Sequence, residues 1–172
     1  MSAVAATPIR AGRLDLLPLL VEHAAEMAVV LSDPALYTFT GGAPPTEGVL
    51  RSRYQRWAAG SADPAVSWCN WVIWLRAEEC LAGMVQATMS GPVGALAAEI
   101  AWVVGTRWQG RGIGAEAARG LIGWLGELPV RTVVAHIHPA NHASAGVARA
   151  AGLSPTGHWQ DRELRWRLSL TP

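Results

Sequence analysis

The chain has 172 residues, of which 51% are hydrophobic and 16% charged, and its formal net charge is +1. That length suits one hydrophobic core, so we expect a single domain over residues 1–172. The fourteen basic residues are all arginines scattered along the chain, which excludes the basic stripe of a nucleic-acid-binding protein. Nine tryptophans exclude general disorder, and no apolar stretch approaches the ~20 residues that span a bilayer.

The first segment does not have the order of a secretory signal, because Arg10, Arg13 and Asp15 precede its apolar stretch and a glutamate closes it. We therefore expect a cytoplasmic protein with no membrane partner, either a monomer or a homodimer. Cys69 and Cys80 are placed so that a disulfide is geometrically possible. A cytosolic domain of this size does not need such a bond, so we do not expect it.

The first half of the chain combines apolar periodicities of both helix and strand with clear turn signals. The predicted elements are, in chain order, a strand over Leu14–Leu19, an amphipathic helix over Val21–Leu31, a loop over Thr40–Pro45, a helix from Glu47 to Gly60, and a hairpin of Trp68–Leu75 and Leu81–Met89. Trp68, Trp71 and Trp74 are expected in the core, on both faces of the first hairpin strand.

The second half is predicted to alternate strands with helices and contains no internal repeat or linker. Its predicted elements are a strand over Ala97–Val104, a glycine-rich loop over Gln109–Gly114, a helix after that loop, a strand over Val130–Ile137, a short helix over Asn141–Ala151, and closing strands around His158 and over Leu164–Leu170. One charged residue, Glu99, lies inside the first of these strands.

The glycine-rich loop joins a predicted strand to a helix, where exposed backbone N–H groups and the helix dipole favour an anion such as phosphate. Gly110, Gly112 and Gly114 alternate along this loop, and Arg107 and Arg111 lie beside them. The glycines could instead serve close packing of a tight connection. The two arginines favour the anion site.

Two common phosphate-binding motifs are excluded. A dinucleotide fingerprint needs G-x-G-x-x-G after the first strand and an acidic residue about 20 positions later, and this loop has neither feature. A P-loop needs a lysine, and the chain contains none. A dinucleotide-dependent oxidoreductase is therefore only a remote alternative.

The loop Gln109-Gly110-Arg111-Gly112-Ile113-Gly114 resembles the Q/R-x-x-G-x-G/A loop of the GNAT acyltransferases. Later in the chain, Asn141-His142-Ala143-Ser144 with Gly152-Leu153 is similar to the N-x-x-S helix of the RimJ/RimL-like branch of that family. The resemblance covers about Leu14 to Leu168. It implies an α/β (α+β) fold, with a mixed, mostly antiparallel central sheet flanked by helices.

The resemblance also implies acetyl-CoA as donor. The loop amides would hold the pyrophosphate, and the strand Ala98–Val104 would splay from its neighbour to admit pantetheine. A free amide near Val103 or Val104 would act as oxyanion donor, and Asn141 would bond the pantetheine arm. The implied coenzyme-binding residues are Trp102, Val103, Val104, Gln109, Gly110, Arg111, Gly112, Ile113, Gly114, Asn141 and Ser144.

Two side chains are candidate catalytic groups. Glu99 lies among apolar neighbours, and desolvation would make its carboxylate a stronger base. The alternative is a glutamate at the solvent-exposed end of the strand, salt-bridged to an arginine. Many members of the family carry a tyrosine seven residues after the motif asparagine, where it protonates the leaving thiolate, but this position is Ala148. The resemblance then points to Ser144, which could instead be an ordinary helix-end serine.

Other polar and aromatic residues are assigned by position. His136 and His138 share a strand face and His142 follows after the turn, but the spacing is not that of a zinc site and no Asp, Glu or Cys accompanies them, so no metal site is expected. One of these histidines could line the acceptor pocket or act as base. The early loops cover the acceptor side in this family, which makes the candidate pocket residues Tyr37, Phe39, Trp57 and His138.

The sequence thus predicts an N-acetyltransferase that moves an acetyl group from acetyl-CoA to a primary amine by direct attack on the thioester. The acceptor would be a protein N-terminus or a small-molecule amine. The alternative is a domain that binds acyl-CoA without turnover, which the missing tyrosine favours.

Overall fold

A single eight-stranded sheet organises the protein in the computed structural model, which describes residues 3–171. Its spatial order is β1-β2-β3-β4-β5-β6-β8-β7. The strands are β1 (Ile9–Ala11), β2 (Leu14–Pro18), β3 (Ser67–Leu75), β4 (Cys80–Ser90), β5 (Leu96–Val104), β6 (Val130–Ile137), β7 (Ser154–Gln160) and β8 (Glu163–Ser169). Neighbouring strands are antiparallel except β5 and β6, which are parallel. The expected mixed, mostly antiparallel sheet is confirmed.

In the part of the chain that the structure describes, four α-helices flank the sheet: α1 (Ala24–Val30), α2 (Glu47–Ala59), α3 (Ile113–Gly126) and α4 (His142–Ala150). Local capping explains where two of them begin, because the side chains of Thr46 and Asn141 accept hydrogen bonds from the first-turn amides of α2 and α4. Gly60 ends α2 with a φ of +83°. Within residues 3–171, none of the helices has the length and apolar character that crossing a bilayer requires.

The helices divide between the two faces of the sheet. The α2 residue Trp57 lines a cavity with β3 and β4 side chains, whereas Gly114 of α3 packs beside Val104 of β5 on the other face. Leu121 and Leu125 of α3 are fully buried. Burial of one such side chain contributes about 1.5–3 kcal/mol, so α3 is held mainly by its apolar stripe.

Three features of the fold bear on the sequence predictions: a short extra strand, the exposure of one tryptophan and the state of the two cysteines. β1 was not predicted, because three residues carry too little periodicity. Trp68 is 40% exposed, so its expected place in the core is wrong. The two cysteines are free, since Cys69 lies opposite Ala87 whereas Cys80 lies opposite Leu75, six residues farther along β3. Six strand residues span about 20 Å, well beyond disulfide reach.

The sheet opens between its two parallel strands. β5 and β6 are paired only from Leu96 to Glu99, whereas β5 continues to Val104 along β4. The residues from Ile100 to Val104 therefore have one free backbone edge. This opening, here called the split, confirms the splayed strands that the resemblance implied.

Candidate active site

The backbone groups that face the split follow from strand alternation. Leu96 N–H donates to Pro129 on the β6 side, and Gly105 N–H donates to Ala82 on the β4 side. Because peptide groups of an extended strand alternate in direction, the N–H groups of Trp102 and Val104 face the split. The amide of Val103 points toward β4, so of the two expected oxyanion donors only Val104 lies on the open edge.

Gly83 holds β4 close to β5 opposite the split. A Cβ at this position would lie 2.2 Å from the carbonyl oxygen of Val103, so no side chain fits there. Just before it, the β3–β4 register shifts between Ile73 and Trp74. The close approach fixes the direction of the Val103 carbonyl. The Val104 N–H belongs to the same peptide group and therefore points the opposite way, toward the split.

The glycine-rich loop ends at the N-terminus of α3. Gly110 and Gly112 have φ values of +73° and +77°, which other residues adopt only with strain. Among the described residues no side chain caps α3, and the first helical hydrogen bond runs from Glu116 N–H to the Gly112 carbonyl. The preceding amides therefore have no partner within the helix, and together with the dipole they form an anion-binding end.

Side chains from distant parts of the chain hold this loop in place. Gln109 Nε2 donates to the Val104 carbonyl at 2.9 Å. Arg13 Nη2 donates to the Arg111 carbonyl at 2.6 Å, while its Nε donates to Glu116. Sequence reasoning missed Arg13, since nothing in the β1–β2 turn indicates a partner 98 residues away.

Arg111 is itself paired. Its guanidinium donates to Glu78, which also accepts from the indole nitrogen of Trp108 at 3.2 Å. The hydrogen bond from Arg111 lowers the pKa of the Glu78 carboxyl below its usual value. The positive charge beside the loop is thus partly neutralised by Glu78, which sequence reasoning also missed. Arg107 lies over the Trp108 ring at 5.5 Å.

The three alternate glycines have different structural reasons. A Cβ on Gly114 would lie 3.0 Å from Val147 of α4 and 3.5 Å from Val104, so close packing explains this glycine. Gly110 has open space where a Cβ would stand, and at Gly112 the nearest atom is a guanidinium nitrogen 3.6 Å away. The packing alternative therefore holds for Gly114, whereas the other two glycines shape an open loop.

Asn141 and Ser144 meet at the start of α4. The Asn141 side-chain oxygen accepts from the Ser144 backbone N–H at 3.1 Å, so its cap uses the oxygen and leaves the amide NH₂ group for another partner. The Ser144 side chain is half-buried. Ala148, at the position where many relatives have tyrosine, is fully buried in the core.

Glu99 lies at the last β5–β6 pair before the split opens. Its side chain is 57% exposed, so the expected desolvation is wrong. Alternation along β5 explains this, because the face that carries Glu99 also carries the small residues Ala97 and Ala101, whereas Ile100 faces the core. The Glu99 carboxylate lies 3.2 Å from Nδ1 of His136.

The aromatic candidates lie on the same side of the sheet as Glu99. The Phe39 ring lies 5.1 Å from the ring of His138, at the end of β6. Tyr37 donates to the Leu31 carbonyl at 2.8 Å, and burial raises its pKa. Its hydroxyl therefore fixes the loop after α1, which in turn places Phe39.

A polar cavity of about 220 Å³ lies between α2 and the middle of the sheet. Its wall includes Thr88, which stands directly opposite Glu99 in the β4–β5 register. The side chains around it include Trp57, Trp68, Asn70, Gln86 and Thr88. Trp57 also stacks on Tyr54 at 5.6 Å. Within residues 3–171, no three His, Cys, Asp or Glu side chains are grouped so that they could hold a metal ion.

Comparison with known proteins gives a family and a fold. Residues 13–154 match the family described as "Acetyltransferase (GNAT) domain". No curated protein matches the chain significantly. Among solved structures, a GNAT-family acetyltransferase from Bacillus anthracis has a TM-score of 0.78 at 18% identity, covering 95% of this chain and 98% of its own.

Two further structures share the fold at low identity. A ribosomal-protein-S5-alanine acetyltransferase from Vibrio fischeri has a TM-score of 0.76 at 15% identity, covering 96% of this chain and 97% of its own. The microcin C7 self-immunity acetyltransferase MccE, solved with acetyl-CoA and AMP, has a TM-score of 0.74 at 16% identity. That match covers 91% of this chain and 92% of MccE.

Proposed function

We propose that the chain, which belongs to the GNAT family of acetyltransferases, moves an acetyl group from acetyl-CoA to a primary amine. The observation that carries this proposal is the split. It presents the free N–H groups of Trp102 and Val104 directly beside the open N-terminus of α3. One binding surface therefore offers amide donors for a pyrophosphate and, next to them, a strand edge for an extended arm.

The loop and the split fit the two parts of coenzyme A. The uncapped first turn of α3 and the positive-φ glycines Gly110 and Gly112 leave backbone N–H groups open to a pyrophosphate. The amide-rich pantetheine arm matches the unpaired edge of β5, and the free NH₂ group of Asn141 supplies a further donor. MccE, which shares the fold, was solved with acetyl-CoA.

The chain's own groups supply the rest of the chemistry. The Val104 N–H, or that of Trp102, stabilises the negative charge that develops on the carbonyl oxygen. Glu99 receives the proton that the amine loses, directly or through water, as the C–N bond forms. When the C–S bond breaks, the Ser144 hydroxyl gives its proton to the thiolate and takes one from water. No covalent enzyme intermediate is needed.

The acceptor is a protein N-terminus, as in the RimJ/RimL-like branch that the Asn141–Ser144 motif resembles, or a small-molecule amine. The name of one structural neighbour, the ribosomal-protein-S5-alanine acetyltransferase, matches the first of these classes. The acceptor would approach on the side of Phe39 and Trp57, where the polar cavity adjoins Glu99.

A second candidate is a domain that binds acyl-CoA without turnover. The buried Ala148 favours it, since no tyrosine hydroxyl is present at that position to protonate the thiolate.

Thiol release with a panel of amines and peptides, together with calorimetric binding of CoA, separates the two candidates. For an acetyltransferase we expect thiol release that depends on the amine. Glu99→Gln should reduce this release, most strongly at low pH where the amine is mostly protonated. Glu99→Gln should leave the dissociation constant for CoA unchanged. CoA binding without release for any acceptor would support the binding module, and absence of CoA binding would contradict both candidates.

A further inference from the structure

Three side chains from neighbouring strands form a hydrogen-bonded chain across the acceptor face of the sheet. Glu99 of β5 lies 3.2 Å from Nδ1 of His136 on β6. Nε2 of the same histidine lies 3.3 Å from Nε of Arg165 on β8. His136 and Arg165 are directly opposite in the β6–β8 register, so the strands themselves hold this contact.

The chemistry of Arg165 decides where the histidine proton lies. A guanidinium only donates hydrogen bonds, so Nε2 of His136 must accept and carries no proton. The neutral ring then has its proton on Nδ1, which donates to the Glu99 carboxylate. The tautomer of a histidine is set in this way by the bond that its other nitrogen makes.

The position of the histidine relates it to the split. Glu99 stands at the last β5–β6 pair, opposite Val134, and His136 follows two residues later on the strand that has moved away. The imidazole therefore crosses the narrow end of the split to reach the carboxylate. The His136 side chain is only 7% exposed, whereas that of Glu99 is 57% exposed. The buried imidazole of His136, hydrogen-bonded at both nitrogens, thus holds one oxygen of a carboxylate that otherwise faces solvent.

Charged groups from both neighbouring strands stand beside the ring. Arg165 and Arg167 of β8 face it from one side, since Arg167 lies opposite Val134. Glu99 faces it from β5, and His138 follows it on β6. A proton added at Nε2 would have to displace the Arg165 hydrogen bond. The ring is therefore suited to orienting Glu99 and not to taking its proton.

We propose that His136, fixed by Arg165 in the Nδ1–H tautomer, is the positioning residue that aims the Glu99 carboxylate at the split. The proposal rests on the proposed function, in which Glu99 receives the amine proton. The Nδ1–H group donates to one carboxylate oxygen throughout, and the other oxygen remains free to take that proton and release it to water. Arg165 acts one step farther away, through the tautomer alone.

Two substitutions at the same position distinguish orientation from simple packing. Asparagine carries its side-chain nitrogen on Cγ, as histidine carries Nδ1, so His136→Asn keeps a donor to Glu99. His136→Leu fills the space without a donor. We expect His136→Leu to lower kcat about 10-fold or more, within what a positioned base contributes, with the dissociation constant for CoA unchanged. His136→Asn should recover most of that loss.

The exposed His158 of β7 provides the matched control, because His158→Leu makes the same replacement away from the split and should leave kcat unchanged. Equal losses in His136→Asn and His136→Leu would overturn the proposal, as would a change in kcat of less than twofold in His136→Leu.

A spectroscopic measurement tests the same proposal without an acceptor amine. Imidazole ¹⁵N shifts of the wild-type protein should show His136 protonated at Nδ1, and Arg165→Met should shift the population toward the Nε2–H form. Glu99→Gln should move the Nδ1 proton resonance. A wild-type ring protonated at Nε2 would overturn the role of His136. Failure of every amine in the panel, with the Nδ1–H tautomer present, would instead count against the proposed function.

Discussion

Gln109 Nε2 donates to the backbone carbonyl of Val104 at 2.9 Å, which ties the glycine-rich loop to the end of β5. The contact joins the two parts of the proposed coenzyme site, because Val104 offers its amide to the split and Gln109 begins the loop. The Gln109 side chain therefore binds a backbone carbonyl and orders the loop in the absence of ligand.

Gln109→Ala should weaken coenzyme binding by about 3-fold to 10-fold. One hydrogen bond contributes a net free energy of about 0.5–1.5 kcal/mol. Without this bond, the free energy needed to order the loop is subtracted from the free energy of coenzyme binding. Calorimetric titration with CoA measures the change. Gln160→Ala, at the exposed end of β7, is the control and should bind normally. An unchanged affinity in Gln109→Ala would show that the loop is ordered without this bond.

Gly112→Val should bind CoA at least about 10-fold more weakly, since the new side chain stands beside the amides that would meet the pyrophosphate. The substitution also strains a residue at φ +77°, which costs about 1–2 kcal/mol of stability. Gly60→Val places the same side chain at another positive-φ glycine, in open space at the end of α2. Both variants should lose stability in urea denaturation, Gly60→Val the more because its ψ of 180° lies in a region that is essentially confined to glycine, and only Gly112→Val should lose affinity. Equal affinities would place the pyrophosphate elsewhere.

Asn141→Asp separates the two uses of that side chain. Aspartate keeps the oxygen that accepts from the Ser144 N–H but removes the NH₂ donor, so we expect a normal melting temperature and a raised KM for acetyl-CoA. Asn141→Ala should lose both, with about 1 kcal/mol of stability lost through the missing cap. A wild-type KM in Asn141→Asp would leave this residue a helix cap only.

Ser144→Ala should reduce kcat by about 10²-fold, the low end of what a general acid supplies, with little change in KM. The half-buried hydroxyl is the one that the N-x-x-S motif offers, since Ala148 is in the core. Steady-state kinetics with acetyl-CoA provide the test. A loss below about 10-fold would show that water protonates the thiolate and that the serine has only a helix-end role.

Tyr54→Phe should leave stability unchanged or raise it by up to about 1 kcal/mol, because its buried hydroxyl has no hydrogen-bond partner among residues 3–171. Burial raises the pKa of Tyr54 to about 12. The folded state therefore disfavours the phenolate, and wild-type stability should fall as pH rises from about 10 toward 12. Tyr54→Phe should lose less over that range. Tyr37→Phe, which removes a bond to Leu31, is the contrasting variant and should be destabilised at neutral pH.

Regular elements could be predicted because their signals are local. The strand Val130–Ile137 has the bounds that its apolar run predicts, and the helix after the loop follows its apolar spacing. The loop itself was predicted from alternate glycines. The packing role of Gly114 was not predicted, because its contact with Val147 depends on how α3 packs against α4.

The environment of Glu99 could not be read from its sequence neighbours. Apolar residues on both sides suggest burial, yet strand alternation places Glu99 on the face opposite Ile100. Alanines at positions 97 and 101 were a usable signal, since small residues beside a charge indicate a thinly covered face. The contacts of His136 and Arg13 have no local signal, because each joins elements far apart in the chain.

The split also affects the cohesion of the sheet. The strands β1 to β5 form one leaf and β6 to β8 another, and four residue pairs join the leaves where eight join β4 to β5. A ligand bound along the open edge would link the two leaves, so the split would serve both catalysis and the stability of the sheet. Saturating coenzyme at 100-fold over its dissociation constant would add about 2.7 kcal/mol to the folded state. Amide protons of β6 and β8 should then exchange more slowly, as the far leaf becomes fastened to the near one.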